Sequence, residues 1–204
     1  MRRWINLLVI FVASLGVAIG CTGLFPSRPG ADSDSVYQAA EQSHENSSGS
    51  VSTIAFPADY RQQFVQYATV DCPNSRIVRK MYVNPNPLET LAASQTVPEG
   101  TVIVMETHSA HAAADGRLVP DRLNNVFIRA KTPEPNANPD SGQWHSVWYS
   151  PDGDLVSDDQ SSCISCHTSV RQRDYLFTLP ALIAAAQTGK MQYQQTEFGT
   201  SVCR

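Results

Sequence analysis

Apolar and polar positions alternate in short blocks between Phe56 and Gly189, and Pro, Gly and Asn residues punctuate them. Behind Pro57, the residues Tyr60, Phe64, Val65 and Ala68 recur at helical spacing, which predicts an amphipathic helix ending near Cys72-Pro73. Ile77 to Val83 has the period of a strand: Ile77, Arg79, Met81 and Val83 share one face, and Val78, Lys80 and Tyr82 the other. Pro85 and Pro87 stop that strand, and a short helix follows from Leu88 to about Ser94. Pro98-Glu99-Gly100 then turns the chain into a β-branched strand, Thr101 to Glu106. Asn125 to Ala130 and Trp144 to Tyr149 read as two further strands, separated by a Pro/Asn/Gly-rich loop, and Pro151-Asp152-Gly153 closes the last. Thr178 caps a final helix with Pro180 in its first turn, Leu179, Leu182, Ile183 and Ala186 on its inner face, and Gly189 at its end. No internal repeat is visible. The pattern is α+β, a small antiparallel sheet flanked by helices.

The first fifty residues obey different rules. Arg2 and Arg3 precede an uncharged run from Trp4 to Ile19, and Ala18-Ile19-Gly20-Cys21 follows, the layout of a signal peptide over residues 1–20. The run is shorter than the roughly 20 apolar residues that span a bilayer. The expectation is an exported chain, periplasmic or otherwise outside the cytoplasm. Cys21 is also placed as the acylated residue of a bacterial lipoprotein would be, with plain cleavage or an uncleaved anchor as alternatives; the expected membrane contact is through that lipid. Residues 21–53 are rich in Ser, Gly, Asp, Asn and Gln and poor in large apolar groups, so they read as a tether. A domain over 54–190 and a tail over 191–204 complete the division.

Composition narrows the function classes. The 204 residues are 42% hydrophobic, enough for one domain with a core. The formal charge is −4, and losing Arg2 and Arg3 with the leader leaves thirteen bases against nineteen acids, −6. Nucleic acid is therefore not an expected partner.

Chemistry concentrates in the cysteines. Cys163-Ile164-Ser165-Cys166-His167 is a C-x-x-C-H run, the attachment signature of a single covalent c-type haem. Two thiols three positions apart reach the two vinyl groups of one porphyrin, and the adjacent imidazole then ligates the iron. A redox dithiol, half of a zinc site or a structural disulfide compete with it. A redox C-x-x-C is expected beside a βαβ pattern, which is missing, and zinc would need two more ligands at matching spacing. With Cys163 and Cys166 on haem and Cys21 on lipid or in the leader, Cys72 and Cys203 remain as a pair for a disulfide, or as two thiols that never meet.

The order Tyr60-Arg61, Met81-Tyr82-Val83-Asn84-Pro85, Pro98-Glu99-Gly100-Thr101-Val102, Gly142-Gln143-Trp144, Cys163 to His167 and Asp174-Tyr175-Leu176-Phe177-Thr178 resembles the cytochrome P-460 and cytochrome c′-β family from about Phe56 to Ala186. The resemblance implies a mainly antiparallel β-fold, usually dimeric, around one five-coordinate c haem with an open distal side. Such proteins oxidise hydroxylamine and nitric oxide, or bind nitric oxide and related ligands. Where the family's cytochrome P-460 members carry a lysine bonded to the porphyrin, this chain has Met105, and where they carry a distal carboxylate it has Asn125. The distal arginine has a match in Arg79, which strand alternation independently places on an apolar face, where a haem propionate or a polar ligand would satisfy it, unless it reaches past the strand edge into water or pairs with a structural carboxylate.

Other residues have lesser claims. Met105 could be a sixth ligand or, more simply, a wall of the distal pocket, with Met81 behind it. His108 and His111 fall in an Ala-rich loop, where they could supply a second imidazole to the iron but a surface position is the default, and His145 beside Trp144 reads as a packed sheet residue. Asp174 is placed to orient Arg171 or Arg173. Two functions follow: a cytochrome that binds small nitrogen-oxide ligands or relays electrons to a redox protein, and an oxidoreductase of hydroxylamine or nitric oxide with Arg79 steering the substrate. The replaced lysine and acid favour the first.

Overall fold

A computed structural model describes residues 54–133, 138–195 and 203. The signal peptide, the tether and Cys21 lie outside the described residues. The elements are α1 (Tyr60–Gln63), β1 (Val65–Cys72), β2 (Ile77–Val83), α2 (Leu88–Ser94), β3 (Val102–Ala112), β4 (Leu118–Lys131), β5 (Trp144–Tyr149), β6 (Leu155–Ser157), α3 (Ser161–His167), α4 (Leu179–Thr188) and β7 (Gln192–Gln195). Single 3-10 turns follow β1 and precede β5, and a longer 3-10 segment, Thr168–Arg173, follows α3. The α+β reading holds. Seven strands form one sheet in the order β6-β5-β4-β3-β2-β1-β7, antiparallel except where β7 runs parallel to β1.

The sheet separates two cores because successive side chains of a strand point to opposite faces. On one face Met81, Val83, Ile103 and Trp144 pack with Leu91 of α2 and Leu182 of α4. On the other, Tyr82, Val104, Val126, Ile128 and Val147 pack with Ile54 and Tyr60. Cys72 and Cys203 are joined by a disulfide across 131 positions and pack on the first face.

Most of the sequence-predicted elements stand, and the exceptions have physical causes. The helix expected from Pro57 to Cys72 is only α1, after which the chain becomes β1. Val65, Thr69 and Val70 are β-branched and favour a strand, and a bulge between Gln66 and Ala68 shifts the alternation by one, so the apolar spacing imitated a helical period. The strand expected to end at Glu106 runs on to Ala112, because Thr107 to Ala112 pair with the start of β4. His108 and His111 are therefore strand residues, not loop residues. Thr178 is the N-cap residue of α4, but its hydroxyl makes no cap; it bonds the Tyr67 hydroxyl at 2.7 Å. The short strands β6 and β7 carry too few apolar residues to show in the sequence.

Candidate functional site

The C-x-x-C-H run forms α3, a two-turn helix, and that is why its spacing matters: positions i, i+3 and i+4 lie on one helical face. Cys163, Cys166 and His167 all line one cavity of about 240 Å³ between α3 and the first face of the sheet. Two anchors dock this helix. Asp159 accepts from the backbone N–H and hydroxyl of Ser161 at its start, and the Gln160 side-chain carbonyl accepts from the Ser146 N–H of β5 at 3.1 Å. Cys163 and Cys166 are free thiols, and burial pushes the Cys163 thiol above its usual pKa.

The opposite wall is the sheet, whose register aligns residues into rows. Met81 pairs with Met105, Met105 with Phe127 and Phe127 with Trp148, one residue from each of four strands. Met81, Met105 and Phe127 line the cavity, and Phe127 stacks on Trp148 with ring centroids 5.6 Å apart. Arg79, one step along β2, also lines it, and its Nη1 lies 3.9 Å from the Met105 sulfur. Burial lowers the Arg79 pKa, with partial relief from Cys166. Ile103, Leu176 and Phe177 complete the apolar lining.

His167 is held on its far side. Its Nδ1 lies 2.6 Å from the carbonyl oxygen of Tyr175, so an Nδ1–H donated there leaves Nε2 bare for a metal. Arg129 of β4 donates from Nη1 to the same carbonyl at 2.7 Å, and with Nδ1 protonated the 2.6 Å approach of Nη1 to Nδ1 is a contact between two donors and not a second hydrogen bond. Burial, with the Arg129 charge second, holds the imidazole pKa down to about 3, so the ring stays neutral, the form that ligates metals. Asp174 and Tyr175 both have left-handed backbone, φ 50° and 58°, which turns the Tyr175 carbonyl inward. Gly142 lies against the Tyr175 ring, where a Cβ would stand 2.7 Å from Cε2.

Several expected residues lie elsewhere. Asn125 does not line the cavity; its side-chain oxygen accepts from the Trp148 indole N–H at 3.0 Å on the outer side of the aromatic pair. His108 bonds Glu106 at 2.7 Å on the other face of the sheet, and His111 bonds exposed Asp121 at 2.7 Å. Asp174 pairs with Lys131 at 2.7 Å, not with Arg171 or Arg173, because those two project outward from the 3-10 segment. Arg129, Phe127 and Ser146 escaped the sequence reading. The alternation that exposed Arg79 applies equally to Phe127 and Arg129 of β4.

The donor set and the walls fit a haem. Two thiols and a neutral imidazole share one helix face, thioethers and aromatic rings offer a flat apolar slot, and Arg79 supplies a cation suited to a propionate. Among the described residues lining the cavity there is no carboxylate. Such a fold and site define a haem-iron cytochrome built on an α+β sheet. The Cytochrome P460 family model matches residues 57–178, and the chain belongs to that family. No curated protein matches the chain.

Proposed function

We propose that the protein is an exported mono-haem c-type cytochrome that binds small ligands such as nitric oxide or relays electrons at an iron held by His167. One observation carries the reading: Cys163, Cys166 and His167 share a helix face that opens on an apolar cavity whose lining has no acid. Cys163 and Cys166 hold the porphyrin through thioethers, and His167 holds the metal through Nε2. When bound, the haem supplies a one-electron couple and an open coordination site for diatomic ligands. Met81, Met105 and Phe127 give that site an apolar wall. Without a carboxylate in the lining, no residue stands ready to take protons from a hydroxylamine-like substrate.

The leader-like residues 1–20 and the disulfide support export, since both attachment chemistry and Cys72–Cys203 pairing suit an oxidising compartment. Acylation of Cys21 would tether the domain to a membrane, and the family resemblance extends the proposal to a homodimer. Among the described residues no helix is long and apolar enough to cross a membrane. A second reading, oxidation of hydroxylamine or nitric oxide, draws on Arg79, a half-buried cation in the cavity wall able to steer a polar substrate.

Spectra of the protein matured in a host competent for c-type haem attachment separate these readings. Ligand binding or electron relay predicts an ordinary c-type Soret band in the reduced form that shifts with nitric oxide, and an intact mass of polypeptide plus one haem. A strongly red-shifted band with a third covalent bond to the porphyrin would favour the oxidoreductase. Colourless protein, or colour removed by acid-acetone, would overturn both.

A further inference from the structure

Arg129 is a buried cation with no carboxylate at hydrogen-bonding distance among the described residues: Nε donates to the Ser146 hydroxyl at 3.1 Å, Nη1 to the Tyr175 carbonyl at 2.7 Å, and the guanidinium lies 4.9 Å from the Trp144 ring centre. Asp174, a carboxylate that acts on its charge, is already bound to Lys131. A charge so placed costs free energy to bury, and that cost lowers its pKa to about 10. The position is therefore expensive, and it coincides with the back of the one imidazole in the cavity.

We propose that Arg129 is a positioning residue that fixes the ring of His167 through the shared Tyr175 carbonyl and raises the reduction potential of the iron by setting a positive charge beside its ligand. The inference rests on the haem reading above. The geometry gives two separate effects. First, a carbonyl oxygen has two lone pairs, and one held by Arg129 leaves a single direction for Nδ1–H, so the imidazole plane and its bare Nε2 are fixed together. Second, a carbonyl already donating electron density to a guanidinium is a poorer acceptor for Nδ1–H. The imidazole then keeps less anionic character and stabilises ferric iron less. The fixed charge acts in the same direction, because in a low-dielectric site it opposes the additional positive charge of the ferric state.

The test uses the haem-loaded protein and compares Arg129→Gln, Arg129→Lys and Lys131→Gln by redox titration and by the iron–histidine stretch in resonance Raman of the ferrous form. Arg129→Gln should shift the ferrous-to-ferric ratio at fixed potential at least tenfold toward ferric, 59 mV for a one-electron couple, and should stiffen the iron–histidine stretch. Arg129→Lys should restore most of the potential, and Lys131→Gln, which removes an equal charge already paired with Asp174, should shift it less than threefold. An unmoved potential in Arg129→Gln, or equal shifts in Arg129→Gln and Lys131→Gln, overturns the inference. If Arg129→Gln does not fold, Ser146→Asp, which places a carboxylate against Nε, must lower the potential, and a rise or no change there overturns it as well. Protein that binds no haem would defeat the haem reading itself, whereas red protein with an unmoved potential defeats only the role of Arg129.

Discussion

Lys131 and Asp174 meet at 2.7 Å, and Lys131 also donates to the Val97 carbonyl at 2.9 Å. The pair ties β4 to the residue immediately before Tyr175, whose carbonyl holds His167. Both side chains are mostly buried, 11% and 26% exposed, so removing one partner strands the other charge away from water and costs more than losing a surface ion pair does. Lys131→Met should cost about 1–3 kcal/mol in urea unfolding and leave the attachment of haem intact.

Gly142→Ala should be worse than its size implies. The residue has φ 63° and ψ −134°, and the added Cβ would stand 2.7 Å from the Tyr175 ring. Backbone strain and the displaced ring should together cost about 2–4 kcal/mol, measured by thermal or denaturant unfolding, with a changed iron–histidine stretch as the mark of a moved carbonyl.

How much of this was readable beforehand depends on whether the signal was local. The strands Ile77–Val83 and Trp144–Tyr149 and the helix Leu88–Ser94 have the bounds their punctuation predicts, because Pro and Gly breaks are local facts. Arg79 was legible as an inward-facing cation because alternation is local too. The partners of His167 were not: the Tyr175 carbonyl depends on two left-handed residues that are not Gly, and Arg129 reaches that carbonyl from 46 positions away. Asn125 misled because its bond to Trp148 is a cross-strand contact that no single segment reveals.

Glu106 makes stability depend on acid. It is 1% exposed and accepts from the Tyr60 hydroxyl at 2.6 Å, Arg61 Nε at 2.5 Å and His108 Nε2 at 2.7 Å. Burial opposes its ionisation, but the hydrogen bonds and the Arg61 charge outweigh that and hold its pKa down to about 2, below the ordinary 4.5. A depressed carboxylate contributes stability that is complete above pH 4.5 and is lost as the pH falls toward 2, on the order of 3 kcal/mol in all. Glu106→Gln should flatten the unfolding free energy across that window and lower it at pH 7 by about 2–4 kcal/mol.

Reducing the Cys72–Cys203 bond releases a loop spanning 131 positions. Cys72→Ala with Cys203→Ala should destabilise the domain by about 2–5 kcal/mol. Haem content per folded molecule should not change, since neither sulfur lines the cavity.

Met105 and Glu106 are neighbours in β3 that face opposite worlds, one a thioether at the slot for the porphyrin, the other a carboxylate locked among tyrosines. A slip of this strand by a single residue would exchange them, delivering an acid to the iron side and leaving sulfur among unsatisfied phenols. The central strand therefore tolerates exchange of letters far better than insertion or deletion, and new chemistry at this centre is reached by substitution along an unbroken reading of the pleat.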